Sequence, residues 1–117
     1  MWAAQDRVYI GGMADFAGGS GAVDAGAAVR LTARVQGMVQ AVGFRYRTVR
    51  KAEELALRGT VRNNDDGTVG VVVEGPQAVV LQFRSWLRSP EAPGRVDHVE
   101  ESLSNATGEF KDFQVVY

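Results

Sequence analysis

Residues 60–75, TVRNNDDGTVGVVVEG, contain two runs rich in β-branched residues on either side of the turn sequence NNDDG. Asn, Asp and Gly tolerate positive φ angles, and Asp-Gly between two such runs is typical of a β-hairpin. This stretch therefore predicts two strands joined by a tight turn. The acidic pair Asp65 and Asp66 fits that turn better than a calcium site, because two adjacent carboxylates supply too few converging oxygens.

A helical pattern lies on each side of this hairpin. On the N-terminal side, apolar residues recur at three- and four-residue intervals from Phe44 to about Leu57. On the C-terminal side, Pro76 suits the first position of a second helix that stops at Ser89 and Pro90. We expect the apolar face of this second helix to belong to the core; its members are Val79, Val80, Phe83, Trp86 and Leu87.

Further strands are predicted outside the two helices. Residues 29–36 alternate between apolar and polar side chains, which is the period of a half-buried strand, and residues 96–103 can form a fourth strand. The closing FKDFQVVY places Phe113, Val115 and Tyr117 on one face of a final strand. The order predicts an α+β fold, a ferredoxin-like split βαβ sandwich (βαββαβ). It has an antiparallel sheet of four to five strands with two helices on one face.

Composition limits the kinds of protein this can be. The 117 residues suit one domain, for which we expect residues 29–117, while the Gly- and Ala-rich residues 1–28 predict a disordered extension. The absence of cysteine excludes disulfides, thiolate metal sites and cysteine nucleophiles. A net charge of −1 and no long apolar run predict neither a nucleic-acid nor a membrane partner, and a cytoplasmic location.

The loop between the first strand and the first helix reads GMVQAVGFR, residues 37–45. A helix N-terminus already carries partial positive charge, so a cation in its first turn is unfavourable unless an anion is bound nearby. Gly37 and Gly43 let the backbone approach a ligand closely, and Arg45 can pair with phosphate oxygens through two parallel hydrogen bonds. The loop is thus compatible with a phosphate site, although on the loop alone a tight crossover with an exposed arginine is the better explanation, so a second element is needed.

A second polar residue falls near this loop in the predicted fold. Asn63 ends the second strand, and a βαβ crossover returns that strand close to the first. Its carboxamide can both donate a hydrogen bond to a water molecule and accept one from it. The alternative is a turn-initiating residue that hydrogen-bonds its own backbone.

Together, GMVQAVGFR, the downstream LALRGTVRN and then DGTVGVVVEG resemble the G-x-V-Q-G-V-G-F-R signature and following strands of the acylphosphatase family. The resemblance covers residues 29–117. It implies a small hydrolase, without metal or other cofactor, that cleaves the carboxyl–phosphate anhydride of acylphosphates to carboxylate and inorganic phosphate.

The same resemblance assigns roles to individual residues. Arg45 would hold the phosphoryl group and Asn63 would orient the attacking water. Ala41 stands where the family has glycine, and if this position needs a positive φ the alanine costs about 1 kcal/mol. The phosphate-binding loop implied by the signature comprises Val39, Gln40, Ala41, Val42, Gly43, Phe44 and Arg45.

Two other functions are compatible with the fold. Ala41 favours a noncatalytic phosphate- or acylphosphate-binding or regulatory module. An RNA-binding module would stack bases on aromatic residues of the central strands, and the predicted first and third strands contain none. We expect a monomer whose partners are a small acylphosphate and phosphate, and we interpret His98 as a structural residue.

Overall fold

The computed structural model describes residues 27–40, 43–89, 92 and 94–117. The predicted disordered extension therefore lies almost wholly outside the described residues, as do Ala41, Val42 and Pro90. The observed order confirms the predicted succession of elements, including the short final strand. The elements are β1 (Ala28–Met38), α1 (Phe44–Glu54), β2 (Arg58–Asn63), β3 (Val69–Pro76), α2 (Gln77–Leu87), β4 (Arg95–Asn105) and β5 (Phe113–Val115).

The five strands form one sheet in the order β4-β1-β3-β2-β5. Neighbouring strands are antiparallel except β2 and β5, which pair in parallel with Val61 opposite Val115. The prediction of a purely antiparallel sheet was therefore wrong in this detail. The chain leaves β4 at one edge of the sheet and returns along the opposite edge, and such a crossover is what allows a parallel neighbour.

The core lies between the sheet and the two helices. The predicted alternation of β1 is confirmed, because Leu31, Ala33 and Val35 are buried while Thr32 is exposed. Their partners across the register in β3 are Val73, Val71 and Val69, which are also buried. The helices cover this apolar face of the sheet with Phe44, Thr48 and Ala52 from α1, and with Val80, Phe83, Trp86 and Leu87 from α2.

Helix α1 ends at Glu54, three residues before the predicted end. Ala56 adopts a left-handed conformation with φ 58°, its N–H donates to the Glu53 carbonyl, and the Leu57 N–H donates to the Ala52 carbonyl. This pair of bonds is the Schellman motif, which normally places glycine where Ala56 stands. Among the described residues, no helix is long and apolar enough to cross a membrane.

The C-terminal end of β1 contains a β-bulge at a position where the sequence predicted the start of the loop. Gly37, which the sequence placed in the loop, has φ 137°, and the register of β1 on β4 shifts between Gln36 and Gly37. A Cβ atom at Gly37 would lie 2.0 Å from the carbonyl oxygen of Arg95. Only glycine therefore allows β1 and β4 to approach at this point.

A buried carboxylate joins the β4–β5 connection to the sheet. Glu74 of β3 is 6% exposed and accepts hydrogen bonds from Arg30 Nε at 2.7 Å, Thr107 N at 2.9 Å and Gly108 N at 3.0 Å. Burial alone would raise the pKa of Glu74, but the hydrogen bonds from Thr107, Arg30 and Gly108 outweigh it and lower the pKa to about 2. Glu74 is thus ionised and fully engaged in holding the connection to β5.

Candidate active site

The first turn of α1 is open to a ligand. Gly43 precedes the helix in a left-handed conformation, φ 78° and ψ 13°, with no side-chain cap and no acidic residue in the first turn. The Arg47 N–H donates to the Gly43 carbonyl at 3.0 Å, which is the first intrahelical hydrogen bond. The N–H groups before it have no intrahelical partner, so the helix presents donors and partial positive charge to an anion.

Two buried side chains hold this turn in place. Phe44 is 1% exposed and belongs to the core, so the backbone at the helix start is anchored from below. Thr48 is fully buried and its hydroxyl donates to the Phe44 carbonyl at 2.7 Å. Both contacts fix the backbone position of the first turn of α1.

A cavity of about 350 Å³ opens at the start of α1, a volume within the range of small-molecule sites. It brings together two parts of the chain that the sequence singled out, the loop before α1 and the end of β2. Its lining consists of Val39, Gly43, Phe44, Arg45, Tyr46, Val49, Asn63, Val115 and Tyr117. Five of the predicted site residues therefore meet in one place, while Ala41 and Val42 lie outside the described residues.

Gln40, the remaining predicted loop residue, directs its side chain elsewhere. Its Nε2 donates to the carbonyls of Asn64 and Thr68, both at 2.9 Å. These carbonyls belong to the turn between β2 and β3, immediately after Asn63. The Gln40 side chain thus fastens the loop to the hairpin turn, and it is absent from the lining of the cavity.

Asn63 carries an unsatisfied acceptor at the cavity. Its backbone pairs in register with Val69, and its side chain is half-buried at the end of β2. Within the described part of the chain, Asn63 Oδ1 is buried without a hydrogen-bond partner. Buried carboxamide oxygens nearly always have a partner, so an unpartnered oxygen on a residue that lines a cavity indicates a nearby position for water or ligand.

The comparisons agree with this geometry, since the Acylphosphatase family model matches residues 31–115. The chain belongs to the acylphosphatase family. An acylphosphatase from Arthrobacter sp. (strain FB24) is 73% identical over 109 residues, covering 93% of this chain and 96% of the relative. One from Paenarthrobacter aurescens (strain TC1) is 57% identical over 88 residues, covering 75% of this chain and 94% of the relative.

A solved structure gives the same result for the fold. The crystal structure of acylphosphatase from Bacillus subtilis matches with a TM-score of 0.70 and 32% identity, over 76% of this chain and 99% of that one. The ferredoxin-like architecture predicted from the sequence is therefore confirmed. The chain is an enzyme, a hydrolase of the acylphosphatase type, as the resemblance of its signature implied.

The cavity at the start of α1 is also lined by residues that the sequence did not indicate, above all Tyr117. The Val116 N–H donates to the Val61 carbonyl at 2.9 Å, which extends the parallel pairing of β5 on β2. Continuing that register brings Tyr117 level with Asn63. The guanidinium of Arg45, the arginine of the signature, lies over the Tyr117 ring in a cation–π contact, with Cζ 5.4 Å from the ring centroid.

No sequence signal marks Tyr117 as a site residue, because its position depends on the direction in which β5 joins the sheet. The alternation of Phe113, Val115 and Tyr117 indicates a shared face but not a parallel neighbour. His98, by contrast, lies where it was expected, exposed on β4, and it does not line the cavity at the start of α1. In the described ranges, His, Asp and Glu side chains form no group of three that could hold a metal ion.

Proposed function

We propose that the cavity at the start of α1 hydrolyses small-molecule acylphosphates, with Arg45 and backbone amides holding the phosphoryl group and Asn63 orienting the attacking water. One observation supports this proposal above the others. Asn63, whose Oδ1 is buried without a partner among the described residues, lines the same cavity as Arg45 and the start of α1, which has no side-chain cap. This combination supports a site in which the Asn63 carboxamide binds the water while Arg45 and the first amides of α1 bind the phosphate.

The phosphoryl group is held by charge and direction together. The guanidinium of Arg45 supplies a planar pair of donors to two phosphate oxygens, and the first N–H groups of α1 add donors along the helix axis. The remaining amides of the predicted loop, including those of Ala41 and Val42, belong to the same proposal. Bound phosphate also resolves the unfavourable placement of Arg45 at a positive helix end.

The reaction requires little more than this arrangement. A water molecule donates a hydrogen bond to Asn63 Oδ1, which directs a lone pair of the water oxygen at phosphorus. The new P–O bond forms as the bond between phosphorus and the acyl oxygen breaks, and its electron pair leaves on the carboxylate. The proton of the water leaves on the phosphate product. Carboxylate is a good leaving group, so positioning and charge stabilisation supply most of the catalysis.

The test separates the two roles. Hydrolysis of benzoyl phosphate is measured for Asn63→Ala and Arg45→Gln, and phosphate binding is measured as protection against thermal unfolding. We expect Asn63→Ala to lose at least about 100-fold in kcat while phosphate still protects it, and Arg45→Gln to lose both turnover and protection. Arg47→Gln and Asn105→Ala are matched controls, because both residues are exposed and neither lines the cavity.

Near-normal turnover in Asn63→Ala or Arg45→Gln would contradict the proposed mechanism. Absence of turnover in the unmodified protein, with phosphate still protecting it, would instead identify a noncatalytic phosphate-binding module.

A further inference from the structure

One group of side chains that lines the cavity is mainly apolar. It is formed by Tyr46 and Val49 of α1 and by Val115 and Tyr117 at the end of the chain. Among the described residues that line the cavity, Arg45 carries the only charged side chain. The phosphoryl group of the substrate engages that charge in the proposed function, so the rest of the substrate meets a surface without a cation.

The two tyrosines of this group are unusually exposed. Tyr46 is 62% exposed and Tyr117 is 93% exposed, and they are two of the four large hydrophobic side chains most exposed in the described part of the chain. Aromatic rings open to water at the mouth of a cavity provide apolar area that a ligand can cover. Leu103, another of the four, is 37% exposed on β4 and does not line the cavity.

Each of the two rings contacts an arginine. Arg45 Cζ lies 5.4 Å from the ring centroid of Tyr117. Arg50 Cζ lies 5.7 Å from the ring centroid of Tyr46, and Arg50 Nη1 donates to the Tyr46 hydroxyl at 3.2 Å. Arg50 itself lines a different hollow, shared with Trp86, and is not among the residues that line this cavity.

We propose, on the basis of the proposed function, that the acyl group of the preferred substrate is uncharged and apolar, and that Tyr46 and Tyr117 bind it. An aromatic acyl group would cover both rings, with its carboxyl–phosphate bond directed at Arg45 and Asn63. An acyl group with a second carboxylate would lose hydration against Tyr46, Val49, Val115 and Tyr117 without gaining an ion pair. Tyr46 and Tyr117 are therefore specificity-determining residues.

Four substrates test this proposal, with the nonenzymatic hydrolysis rate subtracted. Acetyl and benzoyl phosphate differ in apolar area, whereas butyryl and succinyl phosphate have acyl chains of the same length and differ in a distal carboxylate. We expect kcat/KM to be about tenfold higher for benzoyl than for acetyl phosphate, and about tenfold higher for butyryl than for succinyl phosphate.

Variants then assign these preferences to the tyrosines. Tyr46→Ala and Tyr117→Ala should reduce the benzoyl-to-acetyl ratio several-fold, and Tyr46→Phe and Tyr117→Phe should keep it, because the ring rather than the hydroxyl makes the contact. Leu103→Ala is the control and should leave the ratio unchanged. The benzoyl-to-acetyl ratio of each variant is compared with that of the unmodified protein. Differences in the intrinsic reactivity of the two substrates cancel in this comparison.

The outcomes distinguish this proposal from the proposed function on which it rests. Hydrolysis of all four substrates at similar kcat/KM, or ratios unaffected by both alanine variants, would overturn the apolar acyl site and leave the acylphosphatase mechanism standing. Failure of the unmodified protein to hydrolyse any of the four would overturn both.

Discussion

The two strand-to-helix crossings of this fold have similar helix starts but different environments. Neither α1 nor α2 has a side-chain cap, and neither has an acidic residue in its first turn. Residues 39–43 separate β1 from α1, whereas α2 follows β3 directly. The Gln77 N–H at the second crossing donates to the Ala27 carbonyl at 2.9 Å. At the second crossing the chain itself thus accepts a hydrogen bond from an N–H group of the helix start, whereas in the proposed function the N–H groups at the start of α1 bind the substrate.

The side chains beside the crossings differ in the same way. Glu74, two residues before the end of β3, accepts hydrogen bonds from Arg30, Thr107 and Gly108. Asn63, beside the first crossing, has a buried oxygen without a partner among the described residues. The fully hydrogen-bonded carboxylate of Glu74 stabilises the fold. The unpartnered oxygen of Asn63 lowers stability, and a bound water or substrate recovers that loss.

The largest expected effect comes from the glycines at equivalent positions before the two crossings, Gly37 and Gly75. A Cβ at Gly37 would lie 2.0 Å from the Arg95 carbonyl oxygen at positive φ, whereas a Cβ at Gly75 would meet Leu57 Cδ2 at 2.3 Å. Backbone cannot yield as a side-chain end can. We expect Gly37→Ala to lower the free energy of unfolding by roughly 4 kcal/mol and Gly75→Ala by about 2 kcal/mol.

Chemical denaturation of both variants measures this difference. Equal losses of stability in the two variants would show that the Arg95 backbone yields to an added Cβ as easily as the Leu57 side chain does.

Glu74→Gln tests the fully hydrogen-bonded carboxylate beside the second crossing. The pKa of Glu74 falls to about 2 in the folded protein, so its contribution is full above the ordinary carboxyl pKa and is lost as the pH falls towards 2. We expect this variant to lose of order 3 kcal/mol of unfolding free energy at pH 7. The difference in stability from the unmodified protein should shrink as the pH is lowered from 5 to 2.

Asp66 and Glu109 also have lowered pKa values, because hydrogen bonds from Thr68 and Thr107 respectively favour their ionised forms. Asp66 is present in both proteins, so its contribution cancels when the two pH profiles are subtracted. Glu109 shares Arg30 and Thr107 with Glu74, so the same subtraction in a Glu109→Gln background isolates Glu74. A difference that stayed constant over this range of pH would show that the charge of Glu74 contributes little.

Gln40→Ala tests the contact that joins the first crossing to the hairpin. Each carbonyl that Gln40 reaches keeps a second donor, Gly67 N for Asn64 and Asn64 N for Thr68. The loss of stability should therefore be only about 1 kcal/mol. Because Asn63 precedes this turn, we expect kcat to fall by about tenfold through misplacement of its carboxamide. Gln77→Ala, the matched change at the second crossing, should retain full activity in the same steady-state assay.

The sequence predicted those features that depend on local periodicity or on turn chemistry. The alternation of Leu31, Ala33 and Val35 reports burial directly, and the Asp-Gly turn specifies the hairpin. The parallel pairing of β5 and the resulting position of Tyr117 depend on the path of the whole chain. The bonds from Gln40 to the hairpin turn join residues 24 and 28 positions apart, and no periodic pattern reports such a contact.

The smallest expected effect concerns two alanines at positions that commonly need glycine. Ala56 has φ 58° at the end of α1, far from the proposed chemistry, so Ala56→Gly should raise the free energy of unfolding by up to about 1 kcal/mol and leave kcat unchanged. Ala41 replaces the glycine of the family signature inside the proposed phosphate-binding loop. If that position requires positive φ, Ala41→Gly should raise kcat/KM severalfold. Ala56→Gly is then the control that separates a gain in stability from a gain in activity, because a similar rise in kcat/KM for both variants would remove the case for loop strain at Ala41.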